Sequence, residues 1–213
     1  MKKGNRTRLV TGAIFILAFT LWTLLVKFVS VKDIGPLGSS VGFAELNGFV
    51  SGLFGMNREL YILTDIAGLV PIGTALGFAL LGLSQWIGRR SISKVDKSII
   101  ALGGFYVAVI SVYAFFEAVP INYRPVLIDG RLEVSYPSST TMLVMSVMPA
   151  AATELRERIK SERAGRLLSV AVAVFVTLTV IVRILSGVHW ITDIIGGALV
   201  STGLFLLFCG LRR

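Results

Sequence analysis

Cysteine, histidine and acidic residues are scarce in this sequence of 213 residues. Its one cysteine, Cys209, lies in an apolar run near the C-terminus and excludes an intrachain disulfide. Charged residues of both signs make up only 15% of the chain, against about 25% in soluble domains. Acidic side chains number 12 against 21 lysines and arginines, so the net charge is +9. A water-soluble domain of ordinary composition is thereby excluded.

Apolar residues make up the difference: 54% of the chain is hydrophobic, and the mean hydropathy is +0.81. They occur in long blocks, not in the alternating segments of about ten residues that a membrane barrel requires. The sequence therefore predicts an all-α integral membrane protein with a single membrane-embedded domain over residues 1–213. Each block is near the roughly 20 residues that a bilayer requires. The six predicted transmembrane helices of the bundle cover about 9–30, 66–87, 98–119, 137–154, 167–186 and 189–210.

The positions of the basic residues predict how the chain is oriented. Fifteen of the 21 lysines and arginines lie in the tail from Lys2 to Arg8, in the loops at 88–97 and 155–166, or at Arg212 and Arg213. Positively charged loops stay in the cytoplasm, so both termini are predicted to be cytoplasmic and the segment around residue 189 to face the opposite side. This clustering favours a membrane over a nucleic acid as partner. The short loops and missing disulfides are consistent with a bacterial inner membrane.

The segment at 31–60 is too polar to span a bilayer. Leu46, Phe49, Val50, Leu53 and Phe54 recur in it at helical spacing, and Ser39 or Ser40 is a suitable cap. The pattern predicts an amphipathic helix between the first two spans, lying in the outer interface. A helix that packs over the bundle is an equally good interpretation.

Three polar residues at the boundary of the last two spans have the spacing of a reactive site: Arg183, the only histidine, His189, and Asp193. If the chain is helical from residue 189, His189 and Asp193 share one face. The carboxylate then accepts a hydrogen bond from one imidazole nitrogen and leaves the other free. This arrangement is typical of a histidine that acts as a nucleophile or base.

Two further stretches end on the same side: Asn122-Tyr-Arg124-Pro125, and the hydroxyl-rich run from Tyr136 to Thr141 that opens the fourth span. Arginine forks match phosphate oxygens, and a helix N-terminus offers free N–H groups to an anion. Together with the histidine they predict a phosphate site. The alternatives are structural: the arginines anchor helix ends at the interface, and the hydroxyls only cap the fourth helix.

The three stretches together resemble the type-2 phosphatidic acid phosphatase superfamily of membrane lipid phosphatases. That family carries Lys-x6-Arg-Pro, Pro-Ser-Gly-His and Ser-Arg-x5-His-x3-Asp motifs on a six-helix bundle. This chain has Arg124-Pro125, Pro137-Ser138 and Arg183-x5-His189-x3-Asp193 in the same order. The third motif is the specific one, and the match covers residues 117–193.

The resemblance implies a role for each residue. His189 would attack phosphorus and become a phosphohistidine that water cleaves, and Asp193 would orient it. Arg124 and Arg183 would hold the phosphoryl oxygens. It further implies no metal or other cofactor, because arginines and backbone amides supply the charge stabilisation. The remaining phosphate contacts would come from the amides of 138–140 and from the side chains of Ser138, Ser139 and Thr140.

Three positions depart from the family pattern. Glu117 stands where the family has lysine, Val182 where it has serine, and Thr140 where it has the second-motif histidine. In the family that histidine protonates the leaving oxygen, and a general acid contributes about 10²–10⁴-fold. A threonine hydroxyl is far too weak an acid to replace imidazole. The nucleophile half of the site is present and the acid half is missing.

The chemistry of the leaving group indicates which substrates remain. An alcohol monoester expels an alkoxide that needs a proton, whereas a pyrophosphate expels a stable phosphate. The sequence therefore predicts a phosphatase for a lipid pyrophosphate, such as polyprenyl pyrophosphate, with an extracytoplasmic active site. A second hypothesis makes Glu117, protonated in a partly apolar pocket, the substitute acid. The alternative function is a catalytically impaired member of the fold that binds a phosphorylated lipid or acts with a partner. A transporter is disfavoured because its polar groups would lie near the bilayer midplane.

Overall fold

The computed structural model describes residues 3–212, and within that range the chain forms seven α-helices and no named strand. The predicted all-helical fold is confirmed. Lys2 and Arg213, two of the basic residues used to predict the orientation, lie outside the described residues with Met1. Short 3₁₀ turns occupy Pro36–Gly38 and Ile92–Lys94. The helices are α1 Lys3–Phe28, α2 Ala44–Phe54, α3 Arg58–Arg89, α4 Lys97–Ala118, α5 Ser139–Arg158, α6 Glu162–Leu185 and α7 Ile191–Leu211.

Five of these helices, α1, α3, α4, α6 and α7, are long and apolar enough to cross a membrane. The fourth predicted span, 137–154, corresponds to α5, which is a helix but is not among the five. It packs against α3, α4, α6 and α7 and buries polar residues such as Thr141, Ser146 and Glu154. Because its neighbours cover it, α5 needs little apolar surface of its own. Six transmembrane helices therefore stay a prediction.

Helix α3 begins eight residues before the predicted span and contains 32 residues. At about 1.5 Å per residue it is about 48 Å long, well beyond a hydrocarbon core of about 30 Å. Asn57 caps its start by accepting a hydrogen bond from the Leu60 N–H at 3.0 Å. Hydropathy could not find these first turns because they are polar. They bring Tyr61, Thr64 and Asp65 to the same end of the bundle as Arg183.

Helices α1 and α7 pack closely along their length, and glycines make the approach possible. A Cβ atom at Gly203 would lie 2.7 Å from the Ile16 side chain, and one at Gly210 would lie 2.6 Å from Leu9. At the other end of α7, a Cβ at Gly196 would lie 2.6 Å from the Tyr136 ring. The glycine-rich face of α7 therefore also seats the chain that leads into α5.

Helix α2 lies between the first two long helices, where the sequence predicts an amphipathic helix. Its apolar residues Leu46, Phe49, Leu53 and Phe54 are exposed, whereas Ala44 and Asn47 are buried. The Asn47 amide donates to the Thr192 hydroxyl at 3.0 Å, which ties α2 to the first turn of α7. The predicted serine caps are wrong: α2 follows Phe43, which adopts a left-handed conformation.

An ionic cluster joins the ends of three helices, α4, α5 and α7, at the opposite end of the bundle. The buried carboxylate of Glu154 accepts hydrogen bonds from Ser98 at 2.7 Å and from Arg158 at 2.8 Å. Arg158 also contacts Asp96 at 3.3 Å, and Arg212 approaches Glu154 at 3.5 Å. These contacts hold the starts of α4 and the ends of α5 and α7 together.

Candidate functional site

A polar cavity of about 440 Å³ is lined by four of the eight predicted site residues. Its walls come from the last turns of α4, the 119–138 connection, the first residue of α5 and the segment before α7. Arg124, Glu117, Ser139 and His189 all line it. A larger cavity of about 700 Å³ lies at the other end of α5 and contains none of the predicted site residues. The position of the reactive side chains, rather than size, identifies the smaller cavity as the candidate site.

His189 lies just outside helix α7, which begins at Ile191. The expected helical face shared by His189 and Asp193 is therefore not present. Asp193 instead occupies the third helical position, where its carboxylate accepts from the Trp190 N–H at 3.0 Å and caps the helix. Before His189 the chain reverses at Gly187, whose φ is +66°. A Cβ there would also clash with the Gly55 carbonyl oxygen at 1.6 Å, so only glycine fits.

A serine hydroxyl stands between the histidine and the aspartate. Nδ1 of His189 is 3.7 Å from Oδ2 of Asp193, too far for a hydrogen bond. Ser135 Oγ lies 2.9 Å from Nδ1 and 2.5 Å from Oδ2. The direct hydrogen bond expected between these two side chains is therefore replaced by a bridge through Ser135. Sequence reasoning missed this residue, although it lies only two positions before Pro137.

The hydrogen-bond network assigns the protons of His189. A terminal nitrogen of Arg183 lies 3.1 Å from Nε2, and because a guanidinium group only donates, Nε2 must be the acceptor. The imidazole proton is therefore on Nδ1 and is donated to Ser135, whose own proton goes to Asp193. Each proton in this series of hydrogen bonds, from Arg183 through His189 and Ser135 to Asp193, therefore has one position. The unprotonated nitrogen is Nε2, and its lone pair accepts the hydrogen bond from Arg183.

Asp193 is fully buried and accepts three hydrogen bonds. Besides Ser135 and the Trp190 N–H, the Asn122 amide donates to its other oxygen at 3.2 Å. Asn122 was seen in the sequence only as part of the arginine stretch, without a role of its own. With both oxygens occupied, the carboxylate is fixed in position and can orient the serine bridge.

Two buried arginines approach the same aromatic ring. The guanidinium carbons of Arg183 and Arg124 lie 5.4 Å and 5.8 Å from the centre of the Tyr61 ring. Arg183 is 1% exposed and donates to Thr64 at 2.8 Å and Asp65 at 3.1 Å. The first turns of α3, which carry these partners, gave no signal in the hydropathy pattern.

Both guanidinium groups keep buried donors unused. Arg183 Nε, Arg124 Nε and Arg124 Nη1 have no hydrogen-bond acceptor among residues 3–212. Arg124 Nε does lie 3.0 Å from Oε2 of Glu133, an ion pair by distance, but its N–H is not directed at that oxygen. An unsatisfied buried donor is costly, and a bound phosphate oxygen would satisfy these groups. Arg183 hydrogen-bonds to His189, and Arg124 lines the same cavity as His189.

Burial keeps His189 neutral. Loss of water around the imidazole is the main cause that lowers its pKa well below the ordinary value of 6.5, and the charges of Arg183 and Arg124 lower it further. The neutral state agrees with the proton positions assigned above. An uncharged imidazole with a free lone pair is the form that can act as a nucleophile or base.

The three hydroxyl residues at the start of α5 occupy different environments. Ser139 lines the cavity. Ser138 is fully buried, and its N–H donates to the Asp193 carbonyl at 3.1 Å, so that amide is already occupied. Thr140 faces α3, where its methyl group lies 3.7 Å from the position of a Cβ at Gly68. Of the three, only Ser139 is a wall residue of the cavity.

Glu117 lies in the last turn of α4 and lines the cavity with His189. Tyr113, one turn earlier on α4, lines the same cavity. The residue that replaces the family's lysine therefore does enter the candidate site. Among the described residues, no group of three or more histidine, cysteine, aspartate or glutamate side chains is arranged to hold a metal ion.

Comparison with known proteins gives one family and one solved structure. Residues 110–212 match the family model described as PAP2 superfamily. The crystal structure of the first transmembrane PAP2 type phosphatidylglycerolphosphate phosphatase from Bacillus subtilis is similar, with a TM-score of 0.61 and 17% sequence identity. The similarity covers 93% of this chain and 94% of that one, and at this identity it shows the fold alone. No curated protein sequence matches the chain.

Proposed function

Because this chain belongs to the PAP2 superfamily, we propose that it is a membrane lipid phosphatase that works through a phosphohistidine on His189. The observation that carries the proposal is the fixed proton arrangement, in which Asp193 and Ser135 hold the Nδ1 proton and leave Nε2 unprotonated. Two arginines with unused donors lie beside it. The related Bacillus subtilis protein is a phosphatidylglycerolphosphate phosphatase, which supports a lipid substrate.

In the proposed reaction, Arg183 turns from Nε2 to a phosphoryl oxygen, and Nε2 then attacks phosphorus. The electron pair of the breaking P–O bond leaves with the departing group. Positive charge that develops on the ring is stabilised through Ser135 by Asp193. Water then attacks the phosphohistidine, the P–N bond breaks, and Nε2 recovers its lone pair. Arg124 and Ser139 would hold the remaining phosphoryl oxygens throughout.

The departing group determines the proposed substrate class. Thr140 cannot supply a proton, and it packs against α3 rather than lining the cavity. When Nε2 attacks the terminal phosphorus of a lipid pyrophosphate, the anhydride bond breaks and the lipid monophosphate departs as a stable anion that needs no proton. A polyprenyl or other lipid pyrophosphate is therefore the proposed substrate. Glu117, which shares the cavity with His189, is the proposed substitute acid for monophosphates.

An apolar groove beside the site offers room for the lipid chain. It has a volume of about 350 Å³, lies between α3, α4 and α5, and is lined by Ile72, Val109 and Met142 among others. Tyr113 and Ser139 line both this groove and the polar cavity. A lipid could therefore place its head group at His189 while its hydrocarbon chain lies between the helices, without leaving the bilayer.

The proposed topology has six crossings, with α5 as the sixth. Ser139 at its start lines the candidate site, whereas Glu154 and Arg158 near its end join the ionic cluster at the other end of the bundle. The basic start of α1 also lies at that end, because Leu9 contacts the region of Gly210. These contacts support cytoplasmic termini and an extracytoplasmic site in the cell membrane, on a single domain over residues 1–213.

A catalytically impaired, lipid-binding member of the fold is the second candidate. Two observations favour it: Thr140 stands in place of the acid, and Arg183 already occupies the lone pair of Nε2 at 3.1 Å. Such a protein would bind a phosphorylated lipid through its arginines without cleaving it, or act with a partner.

Turnover by the purified protein separates the two candidates. Detergent-solubilised protein and its His189→Ala variant are offered a polyprenyl pyrophosphate and a phosphatidate, and phosphate release is measured. The quenched protein is tested for acid-labile phosphate. The proposal expects release from the pyrophosphate, little from the phosphatidate, and loss of both release and labelling in the variant. Turnover that survives His189→Ala contradicts the phosphohistidine mechanism. Faster phosphate release from the phosphatidate than from the pyrophosphate contradicts the proposed substrate class. Binding without turnover supports the second candidate.

A further inference from the structure

A second cavity, larger than the polar one, is separate from the candidate site. It has a volume of about 700 Å³ and lies between α5, α6 and α7. From Ser139 to Arg156, at about 1.5 Å per residue, the distance along α5 is about 25 Å, so this cavity lies in the opposite half of the bundle. Its volume is within the 300–1,000 Å³ or so of small-molecule sites.

The packing of the last three helices creates this space. α6 and α7 both pack closely on α5 but hardly on each other. They meet near Arg183 and His189, which are hydrogen-bonded, and they separate towards the other end. The gap between them therefore opens from the side of the bundle, with α5 as its floor.

The walls of the gap are apolar. Val172, Ala173, Val176 and Phe205 line it. Two of its hydroxyl groups are bonded to the helix backbone, since Thr153 donates to the Pro149 carbonyl at 2.7 Å and Ser169 to the Gly165 carbonyl at 3.0 Å. Along these walls the surface is therefore complementary to an apolar ligand. In a bilayer, the material that fills a lateral apolar gap is hydrocarbon.

The open end of the gap is positively charged. Arg212 there is paired with Glu157, but Arg156 has no ion pair or hydrogen bond to any of residues 3–212. The neighbouring connection and first turns of α6 add Lys160, Arg163 and Arg166 against Glu162. Basic pockets between transmembrane helices bind anionic lipid head groups. The chemistry that complements this cavity is a phosphate head on a hydrocarbon chain.

We propose that this cavity is a binding site for an anionic phospholipid of the leaflet opposite the candidate active site. Its phosphate group pairs with Arg156, and an acyl chain lies between α6 and α7 against α5. The lipid would fill the gap between the two helices that carry Arg183 and Asp193 at their other ends. This inference does not depend on the proposed phosphatase activity.

Lipid retention measured by native mass spectrometry tests the site. Purified full-length protein is exchanged into detergent with phosphatidylglycerol or with zwitterionic phosphatidylcholine, in the presence of excess inorganic phosphate to occupy the candidate active site. We expect one retained phosphatidylglycerol per chain and much less phosphatidylcholine. Arg156→Gln should weaken retention about fivefold, the effect of one basic residue on an anionic lipid. Arg90→Gln, an equal charge change at an exposed residue of the other basic loop, is the matched control and should change nothing.

A second variant tests the hydrocarbon part. Ala173→Phe fills the gap without changing any charge and should abolish retention; Ser169→Leu, on the same wall, replaces it if that variant does not fold. Equal retention of both lipids, or retention unchanged in Arg156→Gln or in the filled-cavity variant, overturns the proposal. A dimer in the wild type that the filled-cavity variant dissociates would assign the gap to a second copy of the chain and would also overturn it.

Discussion

The serine between His189 and Asp193 gives the sharpest prediction, because removing one oxygen atom breaks two hydrogen bonds. In Ser135→Ala, Nδ1 loses its acceptor at 2.9 Å and Asp193 loses a donor at 2.5 Å. Both side chains are buried, so water does not replace the hydroxyl without entering the network. The Nδ1 proton then has no acceptor nearer than Asp193 Oδ2 at 3.7 Å.

The expected loss follows from these distances. A buried donor without an acceptor costs about 1–3 kcal/mol, and each 1.4 kcal/mol or so on the barrier is a factor of about ten in rate. The turnover number should therefore fall about 10- to 100-fold. It should not fall further, because a ring movement of less than about 1 Å would bring Nδ1 within hydrogen-bond distance of Asp193 directly.

A double-mutant cycle with Asp193→Asn provides the assay. Phosphohistidine formation is followed in a single turnover for the two single variants and the double variant. If Asp193 acts through Ser135, the two losses should be strongly non-additive. Ser146→Ala removes another fully buried hydroxyl, one without a hydrogen-bond partner among residues 3–212, and it should leave the rate unchanged. A Ser135→Ala enzyme as fast as the wild type, or losses that add, would refute the relay.

Three further predictions concern the proton balance of the site. Because His189 is the only histidine, ¹⁵N-labelled tag-free protein gives NMR signals from a single imidazole. Burial and two arginines lower the pKa of His189, so the ring should remain neutral as the pH falls through 6.5. A titration midpoint at or above 6.5 would contradict this. Thr140→His puts an imidazole next to Ser139, which lines the cavity, and should raise phosphatidate hydrolysis about 10²-fold if the longer side chain turns from α3 to the leaving oxygen. Unchanged phosphatidate hydrolysis in a folded variant would show that a proton donor at residue 140 does not restore this activity. Glu117→Gln and Glu117→Ala should reduce hydrolysis of a monophosphate equally, since neither donates a proton, and activity lost in the alanine variant but kept in the glutamine variant would count against Glu117 as the acid.

Hydropathy predicts the helices of this protein well where lipid is the neighbour. α1, α4, α6 and α7 lie within a few residues of their predicted spans, apart from added polar turns. It fails where protein is the neighbour: α5 is covered by four helices, so its sequence carries hydroxyls and a carboxylate that no lipid-facing helix would tolerate. Hydropathy also missed the first turns of α3, because they carry polar residues such as Thr64 and Asp65 that contact Arg183.

The spacing of residues in the sequence predicted the part of the site that comes from one short segment. Arg183, His189 and Asp193 are close in sequence, and their helix boundaries bring them together. The bridge through Ser135 was not predictable, because it depends on a separation of 3.7 Å between two side chains, which spacing does not determine. Helix α7 starts two residues after His189 because Asp193 caps it, and that cap moves the imidazole away from the carboxylate and makes room for the hydroxyl.

Arg183 connects the resting state of the site to its proposed chemistry. Its donor and a proton compete for the same lone pair on Nε2, which is one reason that His189 resists protonation. Thr64 and Asp65 hold the other terminal nitrogen of the guanidinium group, so the group can rotate towards an anion without losing its anchor. An arriving phosphate would draw Arg183 away from Nε2 and offset its charge at the same time. In the proposed mechanism, Nε2 is therefore shielded when the site is empty and becomes free when a phosphoryl group is beside it.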